Sequence, residues 1–178
     1  MTHEAGSDSA RIQSMSKARP LRLLTFDVGR ESFVIDIMRL RQIVPYEGSS
    51  AVPGAPPFIE GITVVRGRAI PLIDLRSRFF ADGKSNTPHP LVLVTSSRQG
   101  NLGLKVDNVR QILNVTTDEI LPAPEVIHGL RGELFVGVLR EDERVLLLLD
   151  LDNFLTREEE RLHRETNYQA MAADSPSG

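Results

Sequence analysis

The strongest constraint on the fold is that the chain repeats itself. RQIV at 41–44 returns as RQIL at 110–113, each preceded by an apolar residue and an aspartate: Ile35 and Asp36 in one copy, Val106 and Asp107 in the other. VPGAP at 52–56 has a counterpart in LPAP at 121–124. Gly61 opens a run ending in Ile73, Asp74 and Leu75, and Gly137 opens one ending in Leu149, Asp150 and Leu151, with equal spacing from glycine to aspartate (74 − 61 = 13 and 150 − 137 = 13). Each Asp-Leu pair leads to a phenylalanine, Phe79 or Phe154. The chain is a diverged tandem duplication, and its fold must be built twice from a unit of about 70 residues.

Within each unit the apolar signal has period two, broken by turn residues. LRLLTFDV, Gly29-Arg30 and ESFVIDI read as a hairpin in which Phe33, Ile35 and Ile37 share a face and Gly29 supplies the permissive turn backbone. RQIVPY, GITVV and AIPLI follow as strands, then HPLVLVTS, GNLGLKVD, VRQILNV, GELFVGVLR and RVLLLLD in the second half. Their spacing of about 10 residues suits barrels or sandwiches. A unit this small is better served by closing its sheet than by stacking two, because closure removes exposed edges. The expected fold is all-β: two tandem five-stranded barrels, the first about 21–80 and the second about 90–150, with strands free to exchange between them. A short helix is expected over about 152–165, where Phe154, Leu155 and Leu162 form a partial stripe and Thr156 with Glu159 fits a capping box. Residues 1–20 and 166–178 carry little apolar content and are expected to be disordered tails.

Composition narrows the function. Twenty-one Lys and Arg against 24 Asp and Glu give a formal charge of −3, which leaves no basic face to neutralise a nucleic-acid backbone. Aromatics are 5% with no tryptophan, too few for the stacking platforms of a nucleic-acid-binding barrel. With no cysteine, thiolate metal sites and thiol nucleophiles are excluded, and the chain suits a reducing compartment. No apolar run approaches a membrane span and the N-terminus lacks the apolar stretch of a secretion signal, so the expected location is the cytoplasm.

Enzyme signatures fail on context. LLLLDLD, ending in Asp150 and Asp152, imitates the aspartate pair of phosphoryl-transfer enzymes, and FDVG at 26–29 does so more faintly; neither is followed by the parallel α/β scaffold such a site needs. Asp150 reads better as a cap at the end of a buried strand. His3, His89, His128 and His163 show no ligand spacing, so no metal or other cofactor is expected. Gly83-Lys84-Ser85 lacks the upstream glycine of a phosphate loop. One asymmetry between the copies stands out: the turn Arg66-Gly67-Arg68 is basic, and its equivalent Glu141-Asp142-Glu143 is acidic.

IDIxxLxQI at 35–43, FIEG at 58–61, RGxxIPLIDLR at 66–76, GLxVDxV at 103–109 and LLLLDLDNFL at 146–155 occur in the order and spacing of the CheW family, which the chain resembles over about residues 21–160. The resemblance implies a non-catalytic adaptor of two SH3-like barrels that joins the cytoplasmic tip of a chemoreceptor to the regulatory domain of a CheA-type histidine kinase, recruited to receptor arrays and, in isolation, a monomer or weak dimer. It implies receptor-facing roles for Gly61 and Arg66 and for apolar residues around Ile37, Leu40 and Ile43 lining a groove between the barrels. Gly103 and Gly137 match glycines linked to kinase contact and coupling; both also suit a bulge or barrel corner. Gln42 stands where the family usually has an acid, and Val64 where it has an asparagine. Both departures fall on the implied receptor surface and point to a divergent partner set, such as a second chemosensory system.

Overall fold

The computed structural model describes residues 18–80, 87–127 and 130–155. The first copy supplies β1 (Pro20–Val28), β2 (Glu31–Asp36), a 3-10 turn (Ile37–Arg39), β3 (Leu40–Pro45), β4 (Ile59–Val65), β5 (Arg68–Asp74) and the short helix α1 (Leu75–Phe79). The second supplies β6 (Leu91–Ser97), β7 (Gly100–Val106), β8 (Asn108–Thr116), the small pair β9 (Val126–Ile127) and β10 (Leu130–Arg131), β11 (Phe135–Glu141) and β12 (Arg144–Leu149). The architecture is mostly β, with two five-stranded sheets ordered β11-β12-β2-β1-β8 and β3-β6-β7-β5-β4.

Each sheet draws on both copies. The β1–β2 hairpin leaves β3, β4 and β5 and joins β8, β11 and β12; the β6–β7 hairpin does the reverse. The joins are parallel ladders, Leu147 opposite Phe33 and Leu148 opposite Val34 in one sheet, Leu72 opposite Gly103 and Ile73 opposite Leu104 in the other. Contiguous divisions at 21–80 and 90–150 therefore describe neither sheet. Equivalent positions lie 69 apart over the first three strands of each copy (110 − 41 = 69) and 76 apart over the last two (137 − 61 = 76).

No ladder joins β3 to β4 or β8 to β11 among the described residues, yet a single bridge spans each gap. Past β3, Ser50 exchanges two backbone hydrogen bonds of 2.8 Å with Ile62; past β8, Leu121 does the same with Val138 at 2.8 and 2.9 Å. The sheets are therefore not the closed barrels expected from the sequence: each stays open between its edge strands and is tied across the gap by two backbone hydrogen bonds from the segment that follows β3 or β8.

Three apolar clusters follow from this geometry. Leu23, Val34, Leu139, Leu146 and Leu148 fill the first sheet's interior, and Ile70, Leu72, Val92 and Val94 fill the second's. The largest cluster lies between the sheets and takes in Phe26, Phe33, Ile35, Ile73, Phe79, Leu93, Leu104, Phe135 and Phe154. Phe33 sits at its centre, stacked 4.8 Å from Phe79, 5.8 Å from Phe26 and 6.2 Å from Phe135.

Several local expectations need correction. Ile37 does not share the face of Phe33 and Ile35: β2 ends at Asp36, whose carboxylate accepts from the Met38 amide at 2.9 Å and turns the chain into the 3-10 turn. Arg19 and Pro20, at the end of the expected tail, belong to the fold: Pro20 pairs with Thr116 and Arg19 exchanges backbone and side-chain hydrogen bonds with Thr117, while residues 1–17 lie outside the described residues. The helix α1, capped by Asp74 accepting from the Arg76 amide at 3.1 Å, was not expected. Residues 152–155 of the expected C-terminal helix form turns and bends; its remainder, with Thr156, Glu159 and Leu162, lies outside the described residues.

Candidate partner-binding surface

The β4–β5 hairpin sets the surface. Val65 pairs with Arg68, leaving Arg66 and Gly67 as a two-residue turn in which both have positive φ, 49° and 74°. That twist matches the flanking strands, and it holds a non-glycine residue in the left-handed region at the tip. Arg66 is exposed and makes no ion pair or hydrogen bond among the described residues. Its equivalent Asp142 has the same unusual φ, 53°, so the copies keep the turn and reverse the charge.

Behind the tip runs a groove of about 640 Å³ at the open end of the second sheet, lined by Gln42 and Val44 of β3, Ile62, Val64 and Val65 of β4, Arg66, Val92 and the segment Glu47–Ser50. Alternation along β3 points Gln42 and Val44 into it and Arg41 and Ile43 away. Val64 is 68% exposed, the largest apolar contribution to the rim. Its lining is more polar than apolar, setting Val44, Ile62, Val64, Val65 and Val92 among one cation, one carboxylate, an amide and hydroxyls, a surface suited to an amphipathic segment.

Of the residues expected to face a receptor, Gln42, Val64 and Arg66 come together here, with Gly61 directly beneath. Ile37, Leu40 and Ile43 do not line this groove: Ile37 belongs to the 3-10 turn, Leu40 packs against the central cluster, and Ile43, 40% exposed, faces outward. The groove sits at the end of one barrel and not between the two. Residues 44 and 47–50 were missed, because only the Ser50–Ile62 bridge folds that segment over the β3 surface.

The three glycines have backbone reasons to be glycine. A Cβ on Gly61 would lie 2.2 Å from the Ser50 carbonyl oxygen, and one on Gly137 would lie 2.4 Å from that of Leu121, so each guards a closing bridge. Gly61 also has φ 155°. Gly103 occupies the place of Val34 in the other sheet, and a Cβ there would press on Leu72 and Val92 at 3.1 and 3.2 Å. Gly103 and Gly137 are buried, where they shape the strands they belong to.

At the other end of the second sheet the Tyr46 hydroxyl donates to Glu60, while Lys105 pairs with Glu60 at 3.0 Å and lies 4.1 Å above the Tyr46 ring. Burial, together with the Glu60 carboxylate, pushes the Tyr46 hydroxyl up from its ordinary pKa. The equivalent first-sheet positions are Val115, Val136 and Asp36, and there a groove of about 390 Å³ stays open.

Asp150 and Asp152 are structural. Asp150 accepts from the Asn153 amide at 3.2 Å and side chain at 2.9 Å. Asp152 accepts from Arg39 at 2.6 and 3.2 Å and from the Arg98 amide at 2.9 Å. Among the described residues no group of three or more histidines or acids is placed to hold a metal ion.

The CheW-like domain family model matches residues 22–159. The chain is 36% identical over 136 residues to the chemotaxis protein CheW of Klebsiella aerogenes, covering 76% of this chain and 82% of that one. It is 27% identical over 163 residues to the CheW of Treponema pallidum, covering 89% and 96%. Among solved structures, the scaffolding protein TtCheW from Thermoanaerobacter tengcongensis superposes with a TM-score of 0.70 at 26% identity, over 79% of this chain and 91% of that one. The exchanged two-sheet architecture, the glycine-guarded closures and a family match across almost every described residue agree: the chain belongs to the CheW family.

Proposed function

We propose that this CheW-family scaffold couples a chemoreceptor to a CheA-type histidine kinase, holding the receptor's cytoplasmic tip with one surface and the kinase's regulatory domain with another. The carrying observation is Arg66, exposed and held in a left-handed turn at the rim of a groove that sets Val44, Ile62, Val64 and Val92 among polar side chains. Arginine's planar fork can hold a carboxylate or two helix-terminal carbonyls at once, while those apolar side chains take an apolar stripe. The scaffold transforms neither partner; it makes their encounter effectively intramolecular, so modest contacts suffice. No helix among the described residues is long and apolar enough to cross a membrane. The working location is the cytoplasm, at receptor arrays.

Gln42 and Val64 make the groove more neutral and more apolar than the family pattern. A receptor tip with an apolar residue opposite Val64 fits it better than one offering a hydrogen-bonding side chain there. The test is titration of the protein with a receptor signalling-tip fragment and, separately, with the kinase regulatory domain. Arg66→Ala is expected to weaken receptor binding roughly ten-fold, as loss of an arginine that pairs with a partner carboxylate or helix-terminal carbonyls does, and to leave kinase-domain binding intact. Unchanged receptor affinity would remove Arg66 from the site; specific binding to neither partner would end the reading.

A further inference from the structure

The exchange of hairpins between copies raises a pairing problem. Backbone ladders alone do not tell the first copy to take the second as its partner instead of the like copy in another molecule, because both present the same strands in the same order. Two carboxylate–guanidinium clasps supply the missing discrimination.

In one, Asp107, between β7 and β8, accepts from the Gly29 amide at 2.7 Å and from Arg76 Nη2 at 2.5 Å. In the other, Asp152, past β12, accepts from the Arg98 amide at 2.9 Å and from Arg39 Nη2 at 2.6 Å. These are one constellation under the internal symmetry. Positions 29 and 98 are equivalent, as are 76 and 152, and Asp107 corresponds to position 38, beside Arg39. The charge is reversed. One clasp has its carboxylate on the connection before the third strand and its cation after the last; the other has them exchanged. The Glu60–Lys105 pair is asymmetric too, since its equivalents are Val136 and Asp36.

Like-with-like pairing would therefore be punished twice. Two first copies would set Arg76 against Arg39 and Glu60 against Asp36. Two second copies would set Asp107 against Asp152 and leave Lys105 beside Val115 and Val136. Asp27 is indifferent, because its partners Arg110 at 2.6 Å and Arg144 at 3.9 Å correspond to Arg41 and Arg68. Asp107 and Asp152 have side chains only 17% and 14% exposed, so solvent would screen a like-charge encounter poorly.

We propose that Arg76–Asp107 and Arg39–Asp152 determine pairing specificity: they admit the mixed pairing of the two copies and reject a like-with-like dimer between two molecules. This is independent of the receptor and kinase reading. Natural proteins use such repulsive elements to exclude competing assemblies.

The test uses the full chain refolded from denaturant over a concentration series, with mass measured by light scattering after size exclusion. The double variant R76D/D107R keeps a complementary clasp within the chain, yet makes each copy self-complementary, since position 76 then offers a carboxylate to Arg39 and position 107 a cation to Asp152. Its dimer is expected to rise roughly ten-fold or more over wild type at equal concentration. R39D/D152R is expected to do the same, and the quadruple exchange, which restores the sign rule, to return to the wild-type profile. The neutral pair R76Q/D107N, should the exchanges fold poorly, is expected to fall between. A swapped dimer that pairs unlike copies makes the same clasp contacts as the monomer in each of these proteins, so a difference between variants reports like pairing. Wild-type dimer levels in both single-clasp exchanges and the neutral pair, or a quadruple exchange as dimeric as the single ones, would overturn the proposal.

Discussion

At Asp152 one carboxylate, 14% exposed, collects an arginine side chain, a backbone amide and a second guanidinium, Arg98 Nε at 3.6 Å. Burial pushes its carboxyl up, but the Arg98 amide and the Arg39 guanidinium outweigh that and hold it below the ordinary aspartate value. A depressed carboxylate contributes stability that is present above its unfolded pKa and lost as pH falls through the folded one. Asp152→Asn is expected to cost about 1–2 kcal/mol at pH 7, at the lower end for charged hydrogen bonds because Arg39 is partly solvated. In denaturant titrations the gap between wild type and variant should begin to narrow as pH falls to the ordinary aspartate value, about 4, where the unfolded chain takes up its proton, and close only below the depressed folded value. A gap that persists undiminished to pH 2 would show that the charge is not what matters. The motif LLLLDLD could be dismissed as a catalytic pair from its context, but its real use was hidden: Arg39 and Arg98 lie far away in sequence and reach Asp152 only once the sheets are assembled.

The elements show why two glycines recur 76 positions apart. Each follows a register shift, between Ile59 and Gly61 in β4 and between Phe135 and Gly137 in β11, that bends the strand toward the segment it bridges. Such bulges re-aim strands at barrel rims, and the bridge then needs backbone contact closer than any Cβ permits. Gly137→Ala is expected to cost about 2–4 kcal/mol through the clash and the lost bridge, within the range of severe overpacking and broken hydrogen bonds. Hydrogen exchange at the Leu121 and Val138 amides should accelerate first. Intact protection at both amides would mean the closure tolerates a side chain. In a functional assay this variant would resemble a loss of kinase contact, although the residue is buried. The repeated spacing made both glycines visible in the sequence; the carbonyl each one faces was not, since it belongs to an irregular segment with no periodic signal.

For the whole molecule, the central cluster unites what would otherwise be two marginal barrels. Phe33 belongs to a hairpin from the first copy, stacks on Phe79 beside the second sheet and on Phe135 from the second copy, and so ties three parts of the chain. Phe33→Ala is expected to destabilise by about 3–5 kcal/mol. Because the core is shared, calorimetry should show one transition at lower temperature, not separate melting of two barrels. Two resolved transitions would mean the sheets fold independently.

By itself the sequence determined the strands, the turns and the duplication, because alternation of apolar residues and the placement of glycine act over a few residues, whichever partner a strand later finds. It also carried Gln42, Val64 and Arg66 as candidates, through motif order, although it could not group them apart from Ile37, Leu40 and Ile43. The pairing was decided only by the tertiary structure. Hairpins kept within a copy and hairpins exchanged between copies satisfy the same alternation and bury the same faces, so local pattern cannot choose between them. The exchange is specified by contacts between residues distant in the chain, the aromatic stack around Phe33 and the charge-reversed clasps at Asp107 and Asp152.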